Sequence, residues 1–353
     1  MKKTFRNMKK VCVIGHFGFG KNLANGQTIK TQIVVEELEN KIGIELIECV
    51  DTCINGRTVI GMLIAACKAI YKCENVIMLP AQNGVLIFAP LLYIMKILYK
   101  KRIHYIVIGG WLPEYLKNKK IIRKCLKEFD AIYVETNSMR SKLVDQGILN
   151  VCVMPNCKKL DILKKEKLNY TYSEPLKLCT FSRVIKEKGI EDAIKAVIAI
   201  NQKYGRVIYT LDIYGQIDKT YIERFKEIEN NSPDYIRYCG CVEYNKTTET
   251  LKNYYLLLFP TFYAGEGFAG TLIDAYAAGV PVISSDWKYN SEIVKEGITG
   301  FLYQTRNIDE LKNRLDGLVG EKEKINSMKI NCIMEAKKYT PEKVIEILIN
   351  NLK

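Results

Sequence analysis

Histidine is scarce in this sequence: His16 and His104 are the only two in 353 residues, beside two tryptophans and nine prolines. Zinc sites draw on His and Cys at short fixed spacings. Twelve cysteines are present, yet no C-x-x-C occurs, and the nearest pairs are Cys49/Cys53 and Cys239/Cys241. No metal is expected. Long apolar runs are missing too. The longest, Gly84 to Met95, contains Pro90 and is closed by Lys96, short of the ~18 residues a membrane span takes. The basic start, Met1-Lys-Lys-Thr-Phe-Arg6, is followed only by Val11–Ile14 before Gly15 and His16, a strand pattern rather than a signal-peptide core. Without such a leader, cysteines in a chain of this size fit a reducing compartment, so a cytoplasmic protein is expected.

Negative charge is short in one half only. Residues 1–170 hold 28 Lys+Arg against 14 Asp+Glu, and residues 171–353 hold 25 against 25, so the whole net charge of +14 lies in the first half. Its densest cluster is Lys117, Lys119, Lys120, Arg123, Lys124 and Lys127, interleaved with Leu116, Ile121, Ile122, Cys125 and Leu126. That spacing predicts one amphipathic helix over 115–128. Its charged side is either a solvated face or a surface for anionic lipid headgroups or a phosphorylated acceptor. No zinc-finger, RRM or KH pattern accompanies it, so nucleic acid is not an expected partner.

What is present is an alternation of short apolar runs with amphipathic segments, the pattern of an α/β chain with buried, mostly parallel strands. Strands are predicted at Val11–Gly15, Ile44–Val50, Val76–Leu79, His104–Ile108, Ala131–Glu135 and Val151–Pro155. Helices are predicted between them, such as Thr28–Glu39, Val59–Lys72 and Asn137–Gln146. A second set of strands, Lys177–Phe181, Ile208–Tyr214, Ile236–Cys239, Leu256–Pro260 and Val282–Ser284, follows the turn-prone stretch 158–175. The boundary is placed near residue 170, and length allows two domains. Val85–Leu98 reads as a buried helix rather than a lipid anchor, its place beside a basic tract leaving peripheral membrane contact open. Tyr254-Tyr255 reads as packing, and Cys239 and Cys241 as small buried residues beside Gly240.

The segment richest in chemistry runs from Phe259 to Asp286 and reads strand, glycine-rich loop, helix, Gly279-Val-Pro turn, strand. Gly265, Gly267 and Gly270 allow close approach of backbone to a ligand. A helix opening near Ala269 aims free N–H groups and a positive dipole end at an anion. Glu266 closes the loop, and Asp274 lies about two turns into the helix. A second piece, Phe181-Ser-Arg183-Val-Ile-Lys186-Glu-Lys188-Gly189, puts cations just past a strand's carboxyl end, which suits a diphosphate. Together they predict a site for a phosphate-bearing ligand whose hydroxyls meet two carboxylates. Gly15-His-Phe-Gly-Phe-Gly-Lys21-Asn22 nearly spells a phosphate-binding loop. Asn22 lacks the hydroxyl that holds Mg²⁺, and Asn25-Gly26 delays the helix to Gln27 or Thr28, so the NTPase reading is disfavoured.

Arg183 with Lys188-Gly189, Glu266-Gly-Phe opening an E-x7-E-type element, Gly279-Val-Pro-Val-Ile, Glu292-Ile-Val, Gly297-Ile-Thr-Gly-Phe-Leu302 and Pro155-Asn156 together resemble the retaining GT-B glycosyltransferases of the glycogen-synthase-like family 4. The resemblance covers most of 150–305 and is looser over 1–150. It implies two Rossmann-like domains facing across a cleft: an acceptor domain over 1–170, a donor domain over 171–335, and a tail, 336–353, whose helix packs back on the first domain. The implied donor is a nucleotide sugar, foremost a UDP-sugar, and the acceptor a glycan or lipid-linked hydroxyl in surface-polysaccharide assembly, with no metal or other cofactor.

In that frame Arg183 and Lys188 neutralise the diphosphate, Glu266 holds sugar hydroxyls and Asp274 holds the ribose. Phe268, Ala269, Gly270 and Thr271 line the donor, Val242 lies where the base docks, Gly26 lies near the β-phosphate, and Gly110 and Trp111 lie on the acceptor side. Two departures stand out. The second carboxylate is Asp274 rather than Glu, one methylene shorter, and Gly109-Gly110-Trp111 replaces the polar residue that many members carry after the fourth strand. His104 reads as a core or strand-edge residue. A nucleotide-sugar 2-epimerase and a binding subunit without turnover remain alternatives. Membrane contact through the basic half, at the inner face, is an expectation.

Overall fold

A computed structural model of the chain describes residues 10–18, 26–53 and 58–352. By its contacts the chain divides into two compact units, one of residues 1–159 with 340–353 and one of Leu160–Tyr339. Residues 160–170, expected with the first half, therefore sit with the second. The cause is packing: Leu163 and Leu168 cluster with Ile333, and the Leu163 N–H donates to the Ala277 carbonyl at 2.8 Å.

The first unit runs β1 (Val11–Gly15), α1 (Gly26–Ile42), β2 (Ile47–Asp51), α2 (Val59–Lys72), β3 (Asn75–Met78), α3 (Gln82–Tyr99), β4 (Arg102–Ile106), α4 (Leu112–Leu116), α5 (Lys120–Lys127), β5 (Ala131–Val134), α6 (Asn137–Val144) and β6 (Val151–Val153). Its sheet has the order β2-β1-β3-β4-β5-β6, and every pairing is parallel. Strands such as Val-Cys-Val-Ile are apolar at successive positions because helices cover both faces.

Three expectations change here. Helix α1 opens at Gly26, a residue or two before the expected start. The single basic helix expected over 115–128 is two, α4 and α5, because the chain turns at 117–119, where Asn118 favours turn over helix and Lys119 leaves helical geometry. Segment 85–98 is a helix, but a half-buried one: Val85, Phe88, Ala89, Leu92 and Met95 pack inward, while Leu86, Ile87, Ile94, Ile97 and Leu98 are exposed. By length and composition α3 is also the one helix among the described residues able to cross a membrane. Its Lys96 closes the apolar run without ending the helix.

The second unit runs β7 (Leu176–Phe181), α7 (Ile190–Tyr204), β8 (Tyr209–Tyr214), α8 (Ile222–Asn230), β9 (Ile236–Gly240), α9 (Thr247–Leu251), β10 (Leu256–Phe259), α10 (Gly270–Ala277), β11 (Val282–Ser285), α11 (Asn290–Ile293), β12 (Gly300–Tyr303), α12 (Ile308–Asp316) and α13 (Lys322–Ala336). The order β12-β11-β10-β7-β8-β9 is again all parallel. One core lies around α7 and α12, another around α10 and α13. The last helix, α14 (Pro341–Ile349), belongs to the first unit and packs on α1, placing Val344, Ile345, Leu348 and Ile349 in that core.

Candidate functional site

The carboxyl end of β7 and β10 carries the chemistry. After β7 the chain passes through Arg183, makes a short turn over Lys186–Lys188 and enters α7 at Gly189. Gly189 has φ +70°, and a Cβ there would lie 2.1 Å from the Pro260 carbonyl oxygen. Only glycine permits this closeness, and it brings the β7 loop against the β10 loop. One bond stitches the loops: the Phe262 N–H donates to the Glu187 carbonyl at 2.7 Å, with Thr261 Oγ1 3.4 Å from the same oxygen.

This juxtaposition places Lys188 Nζ 2.6 Å from Glu266 Oε2, with each side chain about 10% exposed. Thr261 Oγ1 donates to that oxygen at 2.9 Å. A buried pair with a further hydrogen bond is held tightly, and loss of one partner strands the other in low dielectric. The Tyr263 ring lies against both cations, 5.4 Å from the Arg183 guanidinium carbon and 5.3 Å from Lys188 Nζ. The loop is braced from β11: Ser285 Oγ donates to the Thr261 carbonyl at 2.5 Å, Trp287 Nε1 to that of Tyr263 at 2.8 Å, and Lys288 Nζ to that of Ala264.

Helix α10 opens at Gly270, with Ala269 as an N-cap that makes no side-chain hydrogen bond. Its first N–H groups are therefore not satisfied by a cap, and they carry the positive end of the helix dipole. Thr271 spends its hydroxyl on the Phe181 carbonyl at 2.8 Å, tying the helix start to the β7 end. Phe268 is buried and packs edge-on against Tyr339 at 5.0 Å. Asp274 is buried on the same helix. Thus Arg183, Lys188, Glu266, Phe268, Ala269, Gly270, Thr271 and Asp274 all belong to one group of joined elements, and Val242 lies half-buried in the loop after β9.

Cys239 and Cys241, expected as buried residues, are exposed, because β9 is the edge strand of its sheet. Tyr254 packs in the core as expected and also donates its hydroxyl to buried Asp212 at 2.7 Å, meeting the Tyr214 hydroxyl at 2.7 Å. Asp212 is also held by Arg237.

In the first unit, Gly26 is exposed at the start of α1. Gly20, Lys21 and Asn22 of the phosphate-loop-like run lie outside the described residues. Trp111 follows Gly110, donates Nε1 to the Ile108 carbonyl at 2.9 Å and lines a cavity of ≈ 620 Å³ with Gln27, Thr52, Pro80 and Phe88. His104 is a core residue on β4: Nδ1 meets the Tyr133 hydroxyl at 3.3 Å, and burial lowers its pKa to about 4, keeping the ring neutral. Among the described residues no group of three or more His, Cys, Asp or Glu could hold a metal ion.

Thr261 and Tyr263 were missed by sequence reasoning. Their proximity to Glu266 in the chain was a weak signal, but neither residue type marks an anion site unless the loop's fold is known.

Two six-stranded parallel sheets flanked by helices, each in its own unit, constitute the GT-B fold. Residues 162–333 match the family described as "Glycosyl transferases group 1". An uncharacterized glycosyltransferase of Methanocaldococcus jannaschii is 23% identical over 253 residues, 67% of this chain and 63% of that one. The UDP-N-acetylglucosamine–peptide N-acetylglucosaminyltransferase GtfA subunit of Streptococcus pneumoniae is 32% identical over 130 residues, 36% of this chain and 24% of its own length. The chain thus spans less than two thirds of either relative. The crystal structure of HepE from Anabaena in complex with UDP superposes with a TM-score of 0.75 at 14% identity, covering 97% of this chain and 99% of that one. At such identity the likeness is one of fold.

Proposed function

We propose that this chain is a glycosyltransferase that moves a sugar from a nucleoside-diphosphate sugar to an acceptor hydroxyl with retention of anomeric configuration. The observation that carries this reading is the braced cluster at the end of β7 and β10: two cations, a carboxylate and an uncapped helix start. UDP is the favoured nucleotide, since the Streptococcus pneumoniae relative is named for UDP-N-acetylglucosamine and the Anabaena structure holds UDP. Glycan or polysaccharide assembly is the proposed setting, with a glycan or lipid-linked acceptor.

In the reaction, the bond from the anomeric carbon to the diphosphate oxygen breaks and a bond to the acceptor oxygen forms on the same face. The acceptor's proton passes to the departing phosphate. Arg183, Lys188 and the start of α10 stabilise the negative charge that grows on the leaving group, a task that fixed charges perform without reorganising. Glu266 holds sugar hydroxyls and Asp274 those of the ribose. Because these groups supply the positive charge themselves, no metal is assigned a role.

The test is thermal unfolding with UDP-, GDP-, ADP- and dTDP-sugars, for the wild type and Arg183→Ala. A donor present at about 100 times its Kd stabilises by about 2.7 kcal/mol, a rise of several degrees for a domain this size. UDP-sugars should give that rise in the wild type and a much smaller one in the variant, and the wild type should release UDP when acceptor is added. No shift with any of the four would overturn the reading. Binding without UDP release across a glycan panel would leave a binding subunit, and conversion of the sugar without acceptor would make it an epimerase.

A further inference from the structure

The outer face of the first unit's helical layer is apolar where a water-facing helix should be polar. On α3, Ile87, Ile94 and Leu98 recur at helical spacing on the side away from the core, with Ile94 51% and Leu98 65% exposed. On α2, Ile60 is 70% and Ile64 52% exposed, one turn apart. On α5, Ile121 is 74% exposed. These helices are neighbours. The Tyr71 and Tyr99 rings, at the ends of α2 and α3, meet edge to face at 5.5 Å, and α5 packs alongside α3. The exposed apolar residues therefore lie on adjoining helices of one unit rather than scattered singly over the surface.

Charge identifies the occupant. Helices α2, α3 and α5 contain no Asp or Glu, while Lys68, Lys72, Lys120 and Lys124 are exposed on α2 and α5. A second copy of the chain would set these cations against their own kind across a two-fold axis. An anionic lipid surface complements both features, accepting apolar side chains at the acyl boundary and cations at the phosphates. A membrane-crossing α3 does not fit, because Val85, Phe88, Ala89 and Leu92 are packed in the protein core.

We propose that the α2–α3–α5 face docks flat on an anionic membrane, with Ile60, Ile94, Leu98 and Ile121 entering the headgroup boundary and the lysines of α2 and α5 meeting lipid phosphates. The proposal uses none of the residues of the donor site, so it stands or falls apart from the proposed reaction.

Vesicle flotation of the full chain tests it, using phosphatidylcholine alone or with about 30% phosphatidylglycerol, in about 0.1 M and about 0.5 M salt. The wild type should float with the anionic vesicles at low salt, and its bound fraction should fall about tenfold or more in high salt or on neutral vesicles. Ile94→Glu with Leu98→Glu should lose binding about tenfold or more at unchanged unfolding temperature. Lys120→Glu with Lys124→Glu, which leaves the apolar patch whole, should lose it too and guards against a folding artefact in the first pair. Three results would overturn the proposal: no flotation of the wild type, equal flotation with neutral vesicles, or a concentration-dependent dimer that either pair dissolves.

Discussion

Because Lys188 and Glu266 are both shielded from water, deleting either would cost roughly 3–5 kcal/mol of stability and confuse a folding loss with a functional one. Tyr263 is a cleaner probe. Its ring touches both cations, while the backbone bonds that brace its loop involve its carbonyl and not its ring. Cation–ring contacts contribute about 0.5–1 kcal/mol at exposed sites such as Arg183 and about 2 kcal/mol where the cation is desolvated, as Lys188 is. Tyr263→Phe keeps the ring and should hold UDP affinity within about twofold. Tyr263→Ala frees Arg183 and should weaken UDP about five- to tenfold, read by calorimetric titration, with little change in unfolding temperature. Equal losses in the two variants would mean the hydroxyl, not the ring, matters. That Arg183, Lys188 and Glu266 would lie together was legible in the sequence, since they follow two strands of one predicted sheet, and the structure brings them side by side. Tyr263 and Thr261 were not, because an aromatic and a hydroxyl acquire their role only from what the fold sets beside them.

At the scale of elements, the site depends on how closely the β7 loop approaches β10, and Gly189 is the contact point. Gly189→Ala puts a methyl group 2.1 Å from the Pro260 oxygen at φ +70°, so the loops must separate. That movement would pull Lys188 away from Glu266 and Glu187 away from Phe262. The expected outcome is a loss of about 2–4 kcal/mol in denaturant unfolding, together with loss of UDP stabilisation. A variant that unfolds at the wild-type midpoint and still binds UDP would show that the approach is slack. Most elements were readable from apolar periodicity, but β12 was not predicted as a strand. Its first residue, Gly300, has no side chain to signal a strand, and a Cβ there would lie 2.1 Å from the Val282 oxygen of β11. The outward face of α3 was left open, as a possible membrane contact beside the basic tract, for the opposite reason. A helix apolar all round is expected to be buried all round, and periodicity alone does not tell which side the protein leaves open.

Across the whole molecule, the chain builds separate cores from an interrupted sequence. The first unit is completed only when α14 returns, bringing Val344, Ile345, Leu348 and Ile349 against residues of β1, α1 and β3. The loops of the candidate site, by contrast, stand on the core around α10 and α13. Stability should therefore be separable by unit, with nucleotide coupled to one of them. Leu348 and Leu272 are both fully buried, one in each core, and truncating either to Ala should cost about 2–5 kcal/mol. Leu348→Ala should lower a calorimetric transition that UDP leaves in place, and Leu272→Ala one that UDP raises. If both substitutions lower a single transition equally, and UDP raises it in both, the cores unfold as one and the second unit's candidate-site loops are not thermodynamically independent of α14. If they separate, the last fourteen residues act on the first unit alone, and losing them would spare the rise that UDP gives the second unit's transition.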